Sequence, residues 1–325
     1  MKRVLKYVLP LVVIIIIGFL LIEPSIRFRV TPQVKFLLQW GKYGNGDGEF
    51  NQPIGIAIDN EDYVYVSDSG NNRIQKFSNI GELILSCGEG ASEKGNLDRP
   101  MHINTDGKNN LYVTEYGNDR IQKFSPEGKF LIAFGSTGKD NGKFDAPSGV
   151  GVDKSGNIYV ADFYNHRVEK FSPEGKFLLQ IGKPGTWFSG KLNYPTDVVV
   201  GINGNIYVGD AYNNRIQVFN HEGRFLNKWG GPLGLGIQGG WKGWFHVATG
   251  IDIDKEGRVY VADFYNHRIQ IFNRNGDFIT SFGKQGAGPG EFERPTDVAV
   301  DNKGNLFVVD WGNNRIQKFA IKWKK

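Results

Sequence analysis

The chain has 325 residues, with 39 Lys and Arg against 34 Asp and Glu, a formal charge of +5 at pH 7. Within residues 1–30, Lys2, Arg3, Lys6, Arg27 and Arg29 face only Glu23, so the remaining chain carries a net +1 and lacks the basic footprint of a nucleic-acid reader. The single cysteine, Cys87, excludes an intrachain disulfide and any zinc-knuckle pattern.

In chain order the first element is an apolar run from Tyr7 to Ile22, interrupted by Pro10 and preceded by Lys2, Arg3 and Lys6. Counted from Val4 the stretch is 19 residues, enough for one transmembrane helix. The first alanine is Ala57, so no Ala-x-Ala cleavage site follows the run. The expectation is an uncleaved, single-pass signal anchor with its linker over 1–30. The basic N-terminus would stay cytoplasmic and residues 31–325 would lie outside, at the cell membrane.

From residue 53 one unit recurs six times. Each copy opens with Pro, or Ala248 in the fifth, and leads to an acidic-x-x-Asn-x-Arg signature. The signature arginines are Arg73, Arg120, Arg167, Arg215, Arg268 and Arg315, at intervals of 47, 47, 48, 53 and 47 residues. Within the third copy, alternating runs at 148–153, 157–162, 167–171 and 176–181 are separated by turn sequences such as Ser172-Pro173-Glu174-Gly175. Four short strands repeated at this period predict an all-β, six-bladed β-propeller with four-stranded blades. The sixth copy ends after its third strand. Residues 35–41 match the outer strands at 129–135 and 277–283, so this N-terminal strand is expected to close the last blade.

The stretch GNIYVADFYNHRVEKFSPEGKFL at 156–178 resembles the NHL-repeat family of six-bladed β-propellers, and the resemblance extends over about 33–322. It implies the fold more than any one function. That family includes RNA-binding modules of tripartite-motif proteins, sensor ectodomains of receptor kinases and a peptidylglycine amidating lyase. The lyase places histidines directly after the blade-opening prolines. Those positions here are Ile54, Met101, Ser148, Thr196, Thr249 and Thr296, so the lyase pattern is missing.

A residue present in every copy is architecture, and function is sought where the copies differ. The recurring Asp and Arg are expected to pair within the turn. Beside them, bulky residues gather in copies three to five, with Tyr164, Tyr212 and Tyr265 after the Asp and His166 and His267 after the Asn. Trp187 lies in the link into the fourth copy, and the inserted segment 230–247 carries Trp241 and Trp244. These eight residues are the candidate ligand-binding set, on the face that carries the links between blades, here called the top. The second site is the channel mouth, where His102, Asp197 and Asp297 occupy the second position after the blade opening. They could hold a metal or a water, or bond to neighbouring strands. No nucleophile-elbow, zincin or phosphate-loop motif occurs. The reading is a binding propeller, with no cofactor, that captures a protein, peptide or glycan. The alternative is a metal-assisted lyase or hydrolase at the channel mouth.

Overall fold

Alternating apolar positions between tight turns yield short antiparallel strands. The computed structural model describes residues 31–88 and 94–323, which form six four-stranded sheets and one two-residue parallel pair. The expected membrane anchor at 1–30 lies outside the described residues. Among the described residues no helix is long and apolar enough to cross a membrane. In the third blade the strands are Pro147–Val152, Ile158–Asp162, Arg167–Phe171 and Phe177–Ile181, each within one residue of the sequence expectation. Their register pairs Val150 with Val160, Val160 with Glu169 and Lys170 with Leu179.

The ring closes as expected. Gln33–Trp40 pairs antiparallel with Arg315–Lys322, with Val34 opposite Ile321 and Trp40 opposite Ile316. The last sheet is therefore completed from the N-terminal end, and it has no open third-strand edge.

The core is divided into six clusters, each between neighbouring blades. Tyr112 and Ile121 of the second blade, for example, pack on Val150, Val160 and Phe171 of the third. The second strand of every blade is buried almost throughout, because it is flanked by blades on both faces. Burying a large apolar side chain contributes about 1.5–3 kcal/mol, so the blades are stable as a ring rather than singly.

The signature residues form one polar joint per blade. Asp210 ends its second strand and accepts the Asn193 N–H (2.7 Å), Asn213 Nδ2 (2.9 Å), Arg215 Nε (2.7 Å) and Gln217 Nε2 (2.8 Å). Arg215 reaches on to the Trp187, Phe188 and Lys191 carbonyls of the incoming link. The glutamine two residues after the arginine recurs as Gln75, Gln122, Gln217, Gln270 and Gln317, and it donates to the link carbonyl. The third blade has Glu169 instead. Its Oε1 accepts the Gly142 N–H, while buried Oε2 has no hydrogen-bond partner. Burial pushes this carboxyl up to about 7 against the pull of Arg167.

A folded-state value above the ordinary 4.5 means that folding favours the protonated acid. The Glu169 contribution is then complete at acid pH and is lost as pH rises through about 7. Glu169→Gln is expected to stabilise the protein by about 1–3 kcal/mol at pH 8 and by much less at pH 5. Denaturant unfolding at the two pH values measures this difference.

Candidate functional site

The top face is built on a tight turn after each second strand. In four blades this is a 3-10 turn followed by a left-handed residue: Asn72, Asn214, His267 and Asn314. Asp119 and His166 hold the equivalent places, with φ of 48° and 53°. The side chain there accepts a backbone N–H from the next link. Asn72 takes Arg99 (2.9 Å), Asp119 takes Ala146 (2.7 Å), Asn214 takes Val247 (2.9 Å) and Asn314 takes Gln52 (3.0 Å). His166 Nδ1 takes Tyr194 (3.0 Å) and His267 Nδ1 takes Arg294 (3.2 Å). Both histidines thus have a structural duty that their variability in sequence did not reveal. Burial holds the His166 ring below its ordinary value, outweighing nearby Asp210, which matches a neutral ring with Nδ1 accepting.

The aromatic residues are brought together in two tiers. Near the channel, Tyr194 lies 4.9 Å from both Phe163 and Tyr212, and Tyr164 hydrogen-bonds Tyr116 through their hydroxyls (3.0 Å). Tyr164, Tyr212 and Tyr265 are exposed, whereas blades one, two and six have Gly70, Gly117 and Gly312 at that place. Towards the rim, Trp187 and Trp241 stand out, Trp241 being 74 % exposed, and Trp244 is half-buried 6.4 Å from Trp241. Their backbone is fixed although their rings are free. Arg268 binds the Trp241 and Trp244 carbonyls, and Lys228 Nζ binds the Trp187 carbonyl.

Phe188, next to Trp187 in the same link, is 74 % exposed, and two further members were missed: Leu233 (76 %) and Ile237 (43 %). A charge signal was available in the sequence. The links at 182–194 and 230–247 hold Lys183, Lys191 and Lys242 and no carboxylate. The other four links carry acids, among them Glu49, Asp98, Asp145 and Glu293.

His102, Asp197 and Asp297 do meet, but not at the mouth. They lie at the waist of the channel, with His102 4 % exposed. Above them an apolar cavity of ≈ 140 Å³ is lined by Ile54, Met101, Tyr116 and Phe163. Below, a polar cavity of ≈ 260 Å³ is lined by Asp197, Asp252 and Asp297 among others. His102 Nδ1 lies 3.2 Å from Asp297 Oδ2 and 3.7 Å from Asp197 Oδ2. Each carboxylate also joins blades. Asp197 Oδ2 accepts the Ile251 N–H and Asp297 Oδ2 accepts the Ile56 N–H, both at 2.9 Å. Asp252, which sequence reasoning passed over, does the same for Val300 at 2.7 Å. Gly55, Gly149 and Gly250 alternate with the three polar residues and lie against the neighbouring inner strands. A Cβ on Gly149 would come within 2.5 Å of the Asp197 Cα.

Burial lowers the His102 value, but Asp297 and Asp197 outweigh it and raise the imidazole to about 9. Burial pushes Asp252 up to about 7. One donor atom from each of His102, Asp197 and Asp297 fits within 4.8 Å, so the trio could close on a cation. Such an ion would have to displace the His102 proton and share oxygens already engaged between blades.

The NHL-repeat family matches at 50–77, 144–171 and 192–219, and a six-bladed β-propeller family matches at 250–323. Among curated relatives, protein lin-41 of Caenorhabditis elegans is 46 % identical over 48 residues, 15 % of this chain and 4 % of its own. E3 ubiquitin-protein ligase TRIM71 of Rattus norvegicus is 42 % identical over 45 residues, 14 % of this chain and 5 % of its own. The chain thus spans only a small fraction of the length of these relatives. Among solved structures, a protein of unknown function from Bacteroides thetaiotaomicron superposes with a TM-score of 0.69 at 16 % identity, over 90 % of this chain and 76 % of its own. Virginiamycin B lyase from Staphylococcus aureus gives 0.59 at 17 %, over 90 % and 88 %. A gluconolactonase from Xanthomonas campestris gives 0.62 at 13 %, over 92 % and 93 %. At these identities the likeness shows the fold alone.

His102→Ala would leave two buried carboxylates facing each other. It is expected to cost about 3–5 kcal/mol at pH 7. In the parent protein the His102 contribution is complete below the ordinary 6.5 and is lost as pH rises through about 9. The destabilisation should therefore shrink both above pH 9 and at acid pH, where the carboxylates protonate. Urea unfolding across that range is the check.

Proposed function

We propose, for this six-bladed propeller built of NHL repeats, a binding role in which the top face over blades three to five captures a polypeptide partner. The supporting observation is the coincidence of exposed apolar side chains with absent carboxylates. Trp187, Phe188, Leu233, Ile237 and Trp241 all sit on the two links that carry lysines and no acids. Sugar rings gain from stacking on tyrosine and tryptophan but little from Leu233 and Ile237. A polypeptide gains from both, so the partner favoured is a protein or peptide rather than a glycan. The lysines favour an acidic segment of it, and the acidic links on the remaining blades disfavour docking elsewhere.

The segment 1–30 holds the propeller at the membrane as a single-pass anchor, with the binding face outside the cytoplasm. The channel trio serves the ring rather than a reaction. His102 faces two carboxylates, and the Ser148, Thr196 and Thr296 hydroxyls at the mouth turn to carbonyls of the next blade. The metal-assisted lyase or hydrolase reading therefore ranks second.

The test is capture by the full chain from its own membrane fraction, with and without Tyr212→Ala/Trp241→Ala. The expected result is at least a ~10-fold loss of capture with an unchanged melting temperature, because both rings are exposed. Undiminished capture would overturn the site.

A further inference from the structure

The repeat breaks again on the opposite face. In four blades a tyrosine of the second strand donates its hydroxyl to an aspartate just past the inner strand. The pairs are Tyr65–Asp59 (3.1 Å), Tyr112–Asp106 (3.2 Å), Tyr159–Asp153 (3.2 Å) and Tyr260–Asp254 (3.0 Å). Each aspartate also accepts two turn amides, as Asp106 does from Lys108 and Asn110. Three of them face a cation: Lys76, Lys123 or Arg258. A carboxylate is thus part of these four blades, held by a phenol and turn amides and, in three of them, by a positive charge.

Blade four keeps the phenol, Tyr207, but has Gly201 where the aspartate belongs. A pocket of ≈ 300 Å³ opens there, lined by Asn203, Tyr207, Lys255, Glu256 and Arg274 among others. Asn203 fills the gap only in part. Its Oδ1 takes the Asn205 N–H and its amide meets the Tyr207 hydroxyl, which brings no negative charge. Glu256 lies 3.3 Å from Arg258. Arg274 and Lys255 are left to the pocket, and the Arg274 charge partly offsets the rise that burial imposes on the Tyr207 phenol. The other blades show what completes such a site.

We propose that this pocket binds a small organic carboxylate, which completes blade four as the aspartates complete their own blades. The carboxylate accepts from the Tyr207 hydroxyl and the Asn203 N–H, and Arg274 supplies a charge-assisted fork. The remaining volume admits a ligand larger than the carboxylate itself. This site is independent of the top face and does not rest on the function proposed for it.

The test is titration of the full chain with sodium acetate, sodium succinate and inorganic phosphate at constant ionic strength, followed by calorimetry and thermal unfolding. Saturable carboxylate binding is expected, weakened about 10-fold or more by Arg274→Gln at an unchanged melting temperature. Gly201→Asp restores the carboxylate of the repeat. It should raise the melting temperature without ligand and abolish binding. The backbone at Gly201 has no positive φ, and an added Cβ would lie 3.1 Å from Asn203 Oδ1 and Tyr207 Cε2, a tight approach that requires Asn203 to turn away. If Gly201→Asp fails to fold, the Arg274→Gln arm still decides. Absence of saturable carboxylate binding, binding undiminished in Arg274→Gln, or tighter binding of phosphate than of either carboxylate would overturn the assignment.

Discussion

A buried carboxylate at the end of each second strand holds three pieces of chain at once. It takes a link amide on one oxygen, and the turn asparagine and signature arginine largely on the other, with the third-strand glutamine joining in most blades. Asp68, Asp162, Asp263 and Asp310 repeat the pattern seen at Asp210, and Glu115 reproduces it with a longer side chain. A carboxylate buried this deeply is tolerable only when its donors are all present. The arginine extends the joint to link carbonyls, so the backbone of each link is fixed at its root. Side chains in the links are then free to vary without loss of the ring, and this places Trp187 and Trp241 on firm backbone with exposed rings.

The channel follows a second rule of the same kind. Inner strands crowd around the axis, and adjacent blades cannot both carry side chains at the waist. Gly55, Gly149 and Gly250 alternate with His102, Asp197 and Asp297 for that reason. The two aspartates answer strand amides that no sheet edge satisfies, and the His102 charge offsets one of the two. Packing and interblade hydrogen bonds thus give this cluster a structural role.

The period, the strand limits in blade three and the closing strand were all legible, because hydrophobic alternation and turn chemistry are local. The gathering of Tyr164, Tyr212, Trp187 and Trp241 onto one sector followed from the same period. What was not legible depended on direction. His166 and His267 differ in type from Asn72 and Asn214 yet aim an acceptor at the same kind of amide, and residue identity does not reveal that aim. The depth of His102 was hidden because the second position after the blade opening lies below the hydroxyl ring, not at it. Gly201 was readable in principle as a missing aspartate, but only once the Tyr–Asp contact gave the repeated residue a purpose.

The recurring residues hold the ring, while the exposed tyrosine rings of the top face contribute little to its stability. Denaturant unfolding of two variants tests this most directly: Asp210→Asn, and the triple Tyr164→Gly/Tyr212→Gly/Tyr265→Gly that copies the glycine of blades one, two and six. Asp210→Asn leaves the fully buried Arg215 without its carboxylate and is expected to cost about 3–5 kcal/mol. The triple glycine variant removes exposed rings and is expected to cost no more than about 2 kcal/mol, mainly backbone entropy. A small effect of Asp210→Asn, or a triple-glycine loss as large as that expected for Asp210→Asn, would contradict the account.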